Sequence, residues 1–255
     1  MLNYIKAELW KVFRRKSCYV LAALLLFCAH LYGWLFSGGY FADLAAGVSL
    51  TMVTGMPLAP LLAHLVDAGS RDTLKNELSF GLSRGRIYWG KLAAGLLLGL
   101  LLALILALIL VGGVLATGRL LLPRGDPGAA WSNLYRVGVC LLGAVPLWCG
   151  MFALCHTLAL LVRSTAVWMA GYYVAFFIGQ PILTVLAAGF FGGNMAAWPF
   201  RLLQAVLIPC TLLISGLPSG WISGEYLLWC WGVGLGWLAV SAGAGLLFFR
   251  RMDLR

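Results

Sequence analysis

The sequence predicts an all-α, polytopic membrane protein with six transmembrane helices. An interfacial amphipathic helix precedes them, and an outer re-entrant segment precedes the last span. Three observations predict this. Hydrophobic residues make up 62% of the 255-residue chain and charged residues only 10%, with a mean hydropathy of +0.95. A globular domain carries about 25% charged residues, so this chain lacks the polar surface that water demands. The few charges cut the chain into long neutral stretches. The basic residues gather at the ends of those stretches, where cytoplasmic anchoring places them, and form no groove-lining patch. The net charge of +10 therefore points to a membrane and away from nucleic acid.

The first element is residues 1–17, the N-terminal interfacial helix. Within LNYIKAELWKVFRRK, Leu2, Ile5, Leu9, Val12 and Phe13 recur at helical spacing, with Lys6, Glu8, Lys11, Arg14 and Arg15 mostly on other faces. That pattern, with Trp10, predicts an amphipathic helix lying in the inner interface. A plain charged anchor is the alternative. The first apolar segment is too long for a cleavable signal peptide and lacks a small-residue cleavage site.

The remainder, 18–255, reads as the transmembrane domain. Uncharged stretches of 26, 23, 27, 26, 37, 23 and 24 residues separate Lys16, Asp43, Asp67, then Lys91 from Arg119, and Arg136, Arg163, Arg201, Glu225 and Arg250. A spanning helix needs about 20 apolar residues, so all seven qualify by length. The stretch 202–224 holds Pro209, Gly216, Pro218 and Gly220, which leaves too little unbroken helix to cross. Charge bias selects the same answer. With six spans, 14 of the 18 basic residues face inward, leaving Arg119, Arg124, Arg136 and Arg201 outside. A seventh span would expel Arg250, Arg251 and Arg255 against the positive-inside rule.

The spans are predicted at 18–37, 44–66, 92–116, 136–162, 166–189 and 225–249, with both termini cytoplasmic. The outer loop 117–134 holds Pro123 and Gly125-Asp126-Pro127-Gly128, a turn-rich connector. The outer segment 190–224, with Gly192-Gly193, Trp198-Pro199 and Trp221, is predicted to dip into the outer leaflet without crossing.

The cytoplasmic loop 67–91, DAGSRDTLKNELSFGLSRGRIYWGK, is the most charged stretch and mixes signs. A bare connector could be much shorter. Thr73 to Leu82 can form a short helix with Leu74 and Leu78 on one side, which Gly81 and Gly85 then break. Such a helix suits docking to a soluble partner; a solvated face with anchoring arginines is the other reading.

The N-terminal NYIKAELWKVFRRK, two spans, DTLKNELSFGLSRGRIYWGK leading into a third span, and the terminal FFRRMDLR together resemble the permeases of ATP-binding-cassette type-2 exporters. The closest likeness is to the small bacterial permeases of lantibiotic immunity and bacitracin resistance. The resemblance covers the whole chain in layout, and the specific residues lie in the loop and the N-terminal helix. It implies a bacterial cytoplasmic membrane and a coupling role toward a separate ATPase for Asp72, Thr73, Lys75, Asn76, Glu77, Ser83 and Arg84. It further implies two ATPase subunits that bind ATP and magnesium, a second permease copy or paralogue, and export of an amphipathic or peptide-like cargo such as an antimicrobial peptide.

Other chemistry is weaker. Gly85 to Lys91 matches GxxxxGK, but Leu92 stands where Ser or Thr must reach magnesium. No ATPase site or other catalytic residue is therefore expected in the chain. The seven cysteines (Cys18, Cys28, Cys140, Cys149, Cys155, Cys210, Cys230) lie singly among apolar residues and form no CxxC pair, so no metal is expected. His64 and Asp67, three apart, can pair on one helix face; the first reading is a structural pair capping the helix near the interface, and a proton or metal site is the sharper alternative. His30 and His156 read as lone neutral histidines bonded to a carbonyl, and Asp43 as a wet outer residue. Gly216-Leu217-Pro218-Ser219-Gly220 imitates a serine elbow without an aligned base. Gly95/Gly99 and Gly232/Gly236 permit close helix contact. An ion-coupled transporter or channel, and a membrane scaffold or sensor, are the rival classes; the first predicts charges inside spans.

Overall fold

The computed structural model describes residues 1–24, 27, 56–67, 70–116, 127–192, 197–207 and 224–252. Most of the predicted first span, the start of the second, and the loop 117–126 lie outside these residues. So do His30, Asp43, the Gly216 to Gly220 stretch, Trp221 and the last three residues. Every regular element among the described residues is helical. In chain order they are α1 (Leu2–Phe13), a 3₁₀ turn (Met56–Leu58), α2 (Ala59–Asp67), α3 (Ser70–Ser79), α4 (Arg84–Ala116), α5 (Pro127–Leu161), α6 (Thr165–Phe191), α7 (Trp198–Leu207) and α8 (Gly224–Arg251). Residues 16–24 are also helical, after a turn at Arg14 and Arg15.

Four helices are long and apolar enough to cross a membrane, at Arg84–Leu104, Leu141–Leu161, Thr165–Phe190 and Leu227–Arg251. They coincide with the predicted third to sixth spans. Leu and Ala dominate α4, and both are strong helix formers. Its 33 residues extend about 50 Å at 1.5 Å per residue, well beyond the hydrocarbon thickness of roughly 30 Å. The surplus lies at its start. Gly81, at φ 79°, ends the preceding helix as a left-handed glycine does. Gly85 breaks nothing: it sits in the first turn of α4, where the Ser83 side chain caps the Arg86 amide at 3.3 Å.

Two further boundaries differ from expectation. The helix predicted at 73–82 runs over Ser70–Ser79. Pro127, assigned to the outer loop, is the first residue of α5, a position where its missing amide costs no helical hydrogen bond. α7 is ten residues long, about 15 Å, so it is too short to cross.

α5 and α8 form the most extensive helix pair. A Cβ on Gly150 would lie 2.7 Å from the Gly234 carbonyl, and one on Gly234 would strike the Pro146 backbone, so both must be glycine for the backbones to meet. Gly95 and Gly99 of α4 make room for the Phe152 and Trp148 rings of α5, as their spacing predicts. Gly232 and Gly236 face open space instead. The main core gathers Val12, Leu62, Leu74, Tyr88, Leu98, Phe152 and Phe249 from α1, α2, α3, α4, α5 and α8. A second cluster joins Met56, Leu147, Phe176, Phe200 and Cys230 at the other end.

Candidate functional site

The charged loop and the N-terminal helix, read separately in the sequence, are one assembly. α1 lies against the start of α4 with Tyr4 over Gly90, where a Cβ would run into the tyrosine ring. Val12 enters the core. The predicted apolar stripe is split: Leu2 and Phe13 are exposed beside Trp10, and the Arg14 guanidinium lies 4.2 Å over the Trp10 ring. Glu8, assigned to a polar face, is 1% exposed. The reason is electrostatic. Lys91, itself 2% exposed, donates to Glu8 Oε2 at 3.0 Å, and Lys11 donates to Glu8 Oε1 at 2.7 Å.

The third element of the assembly is α3. Its apolar residue Leu74 is buried in the core, which turns Glu77 inward. Tyr4 Oη donates to Glu77 Oε2 at 2.9 Å, and Lys11 Nζ to Glu77 Oε1 at 3.0 Å, with Lys91 Nζ 4.0 Å away. Two carboxylates and two ammonium groups thus balance in a site drawn from three elements. Balance and hydrogen bonding are the conditions under which buried charge is tolerated. Burial pushes the Glu8 carboxyl up, but Lys91 and Lys11 outweigh it and hold the group below the usual glutamate range. Burial likewise pulls the Lys11 ammonium down, and its bonds to Glu8 and Glu77 reverse that and hold it above its ordinary value. Burial, helped by the charges of Glu8 and Glu77, raises the Tyr4 hydroxyl far above the tyrosine range, so Tyr4 is a neutral donor.

The seven residues singled out by resemblance have different places. Asp72, Thr73 and Lys75 lie on α3, their side chains outside what the structure describes. Asn76 is exposed, and its carbonyl accepts from Ser79 Oγ at 2.7 Å. Glu77 points into the assembly. Ser83 caps α4. Arg84 reaches the last turn of α8, donating to the carbonyls of Phe249 (3.2 Å), Arg250 (2.7 Å) and Met252 (2.8 Å). A guanidinium there satisfies carbonyls that no helical amide can reach.

A second polar centre lies beneath. Asp67, at the end of α2, meets His156 of α5, Oδ2 to Nδ1 at 2.8 Å, and His156 is 0% exposed. This corrects two expectations: His64 does not pair with Asp67 but is exposed, and His156 bonds a carboxylate. α2 turns toward α5 the face that carries Leu62, Ala63, Val66 and Asp67, all buried, and leaves His64 outside. The Tyr88 ring lies tilted against His156, centroids 5.0 Å apart, and its hydroxyl pairs with Thr157 Oγ1 at 3.0 Å. Thr157 in turn donates to the Ser241 carbonyl at 2.9 Å. Asp67 Oδ1, His156 Nε2 and Ser241 Oγ find no partner among the described residues.

Sequence reasoning missed Glu8, Lys91 and Tyr4 as site residues. Glu8 is the sole acid among the first sixteen residues, beside five bases, and that isolation was the available signal. The GxxxxGK stretch lies wholly within α4, with Lys91 paired to Glu8. No group of three or more His, Cys, Asp or Glu side chains could hold a metal ion among the described residues. Compared with known proteins, the chain matches no protein-family model and no curated sequence.

Proposed function

We propose that the chain is the permease half of an ATP-binding-cassette exporter, with six spans, cytoplasmic termini and an outer re-entrant segment over 190–224. Two such subunits, identical or related, line a path between them and take their energy from two ATPase subunits seated on the cytoplasmic side. The cargo is amphipathic or peptide-like, in keeping with the uncharged stretches 92–116 of α4 and 226–249 of α8 and with α6, which carries no charge.

The observation that carries this reading is the attachment of α3. A charged helix of ten residues is fastened by Glu77 to α1 and α4 at once, and four residues after its end the chain enters α4. Displacing such a helix displaces the spans. A loop that only joined two spans would have no use for that linkage. The test is isolation of the tagged chain from its native membrane in mild detergent. The expected result is co-isolation of an ATP-hydrolysing subunit in equal amount. Chain recovered in folded form without it, under conditions that preserve the membrane complex of a known exporter, would count against the proposal.

A second reading is an ion-coupled transporter, and the Asp67–His156 pair favours it. Ionisable groups buried among spanning helices are functional suspects, and this pair has two polar atoms without partners among the described residues. It predicts that the chain alone, in sealed vesicles, dissipates or uses an ion gradient, and that Asp67→Asn abolishes this.

A further inference from the structure

The side chains of Asp67 and His156 are 3% and 0% exposed, and Asp67 Oδ2 meets His156 Nδ1 at 2.8 Å. His156 lies within Leu141–Leu161, a stretch long and apolar enough to cross a membrane. Thr157 spends its one hydroxyl hydrogen on the Ser241 carbonyl at 2.9 Å, so Tyr88 is the donor in its 3.0 Å bond to Thr157. Neither hydroxyl has a hydrogen left for the carboxylate. Among the described residues His156 is therefore the sole donor to Asp67, and Asp67 Oδ1 and His156 Nε2 have no partner.

The charges around the pair are committed elsewhere. On α4, Lys91 lies one turn beyond Tyr88 and pairs with Glu8, while Glu77 of α3 takes Lys11 and Tyr4. Arg15 donates to the Leu65 carbonyl at 2.6 Å, and His64 is exposed on the other face of α2. On α6, Tyr172 and Tyr173 donate to the Met56 and Pro57 carbonyls at the far end of α2. Cys18 and Cys155 are buried thiols, and residues 226–249 of α8 carry no charge. Asp67 beside a neutral imidazole is thus a buried unit charge, which needs a matched countercharge. One added proton supplies it. The donor set favours a proton over a metal ion: a carboxylate oxygen, an imidazole nitrogen and the Ser241 hydroxyl lack partners, whereas calcium and magnesium take about six or more oxygens.

Resting on the ion-coupled reading for its use and on the pair alone for its chemistry, we propose that Asp67 and His156 form a proton-binding site and that the coupling ion is a proton. The proton adds to the Nε2 lone pair and turns a buried anion into a neutral carboxylate–imidazolium pair that fastens α2 to α5. Its departure to water breaks that N–H bond, leaves the electron pair on Nε2, and loosens the joint.

The test follows the imidazole nitrogens of isotope-labelled histidine by NMR in the full chain, across the pH range in which it stays folded. His30→Ala and His64→Ala assign the His156 signals by removing the others. The expected result is one reversible protonation of Nε2, with a proton affinity at least about tenfold lower in Asp67→Asn, because a neighbouring carboxylate stabilises the imidazolium by that much or more. In wild-type chain, which needs no variant to fold, a carboxylate infrared band should shift with the same midpoint. Signals that never change in folded wild-type chain overturn the site and leave the permease reading untouched. A protonation that Asp67→Asn does not move also overturns it. Replacing choline by sodium or potassium at fixed pH should change nothing; a shift would make the ligand an alkali cation and overturn the proton. Sealed vesicles holding the chain alone separate site from use. Proton binding with proton flux supports both, and proton binding without flux keeps the site and overturns the coupling role.

Discussion

Glu8 and Lys91, 83 residues apart in sequence, form an ion pair at 3.0 Å with each side chain 2% exposed. One belongs to α1 and the other to α4, a helix long and apolar enough to cross a membrane, so the pair fastens the two together. Removing one partner strands a buried charge, which costs about 3–5 kcal/mol in comparable pairs. Glu8→Gln and Lys91→Met are each expected to lower the thermal unfolding midpoint of the purified chain markedly. The double variant Glu8→Leu with Lys91→Met is expected to recover much of the loss. Additive losses in that double-mutant cycle would mean the two residues do not act together.

The same assembly predicts a pH profile. Glu8 is held below its ordinary value, so its contribution is present above about pH 4.3 and is lost as pH falls through the lower folded value. Lys11 is held above its ordinary value, so its contribution is fully present below about pH 10.4 and is lost as pH rises through the higher folded value. The unfolding midpoint should form a plateau between these limits. Glu8→Gln should remove part of the acid limb and, because the Glu8 carboxylate also raises Lys11, weaken the alkaline limb to what Glu77 sustains. An acid limb unaffected by Glu8→Gln would contradict the assignment.

Gly90 tests the seat of Tyr4. A methyl group there collides with the ring, and overpacking of this kind costs about 1–3 kcal/mol. Gly90→Ala is expected to destabilise the wild-type chain and to cost clearly less beside Tyr4→Ala, which vacates the space. Equal cost in both backgrounds would place the strain elsewhere.

His64 and Asp67 separate cleanly. His64→Ala removes an exposed side chain and should change stability by less than about 0.5 kcal/mol. Asp67→Ala leaves buried His156 Nδ1 without its partner, worth about 1–3 kcal/mol. The comparison needs only two unfolding curves, and similar curves would refute the pairing with His156.

How much of this was legible in the sequence depended on range. The four long helices were legible because each is more than 20 residues of nearly uncharged chain, a signal that no neighbouring element can override. Their ends were less so. Gly81 and Gly85 look alike in sequence, but only Gly81 has the left-handed conformation, because Ser83 caps the helix that Gly85 then joins. α3 was placed within three residues at each end. The assembly around Glu77 was illegible, since Tyr4 and Lys11 reach it across 73 and 66 residues, and a pairing at that range leaves no periodicity. His64 and Asp67 mark the same limit. Their spacing allows a pair, yet which face of α2 turns inward is decided by α5, and that choice gave Asp67 to His156.

We propose that this chain moves its cargo with energy from an ATPase on another chain, delivered through α3. The most direct measurement is uptake of an amphipathic dye or peptide into sealed inside-out vesicles holding the chain with its co-isolated subunit. Energised by ATP alone, with ion gradients collapsed, the vesicles should accumulate cargo, and should stop when hydrolysis is blocked. Uptake by the chain alone, driven by an imposed ion gradient and indifferent to ATP, would contradict the account.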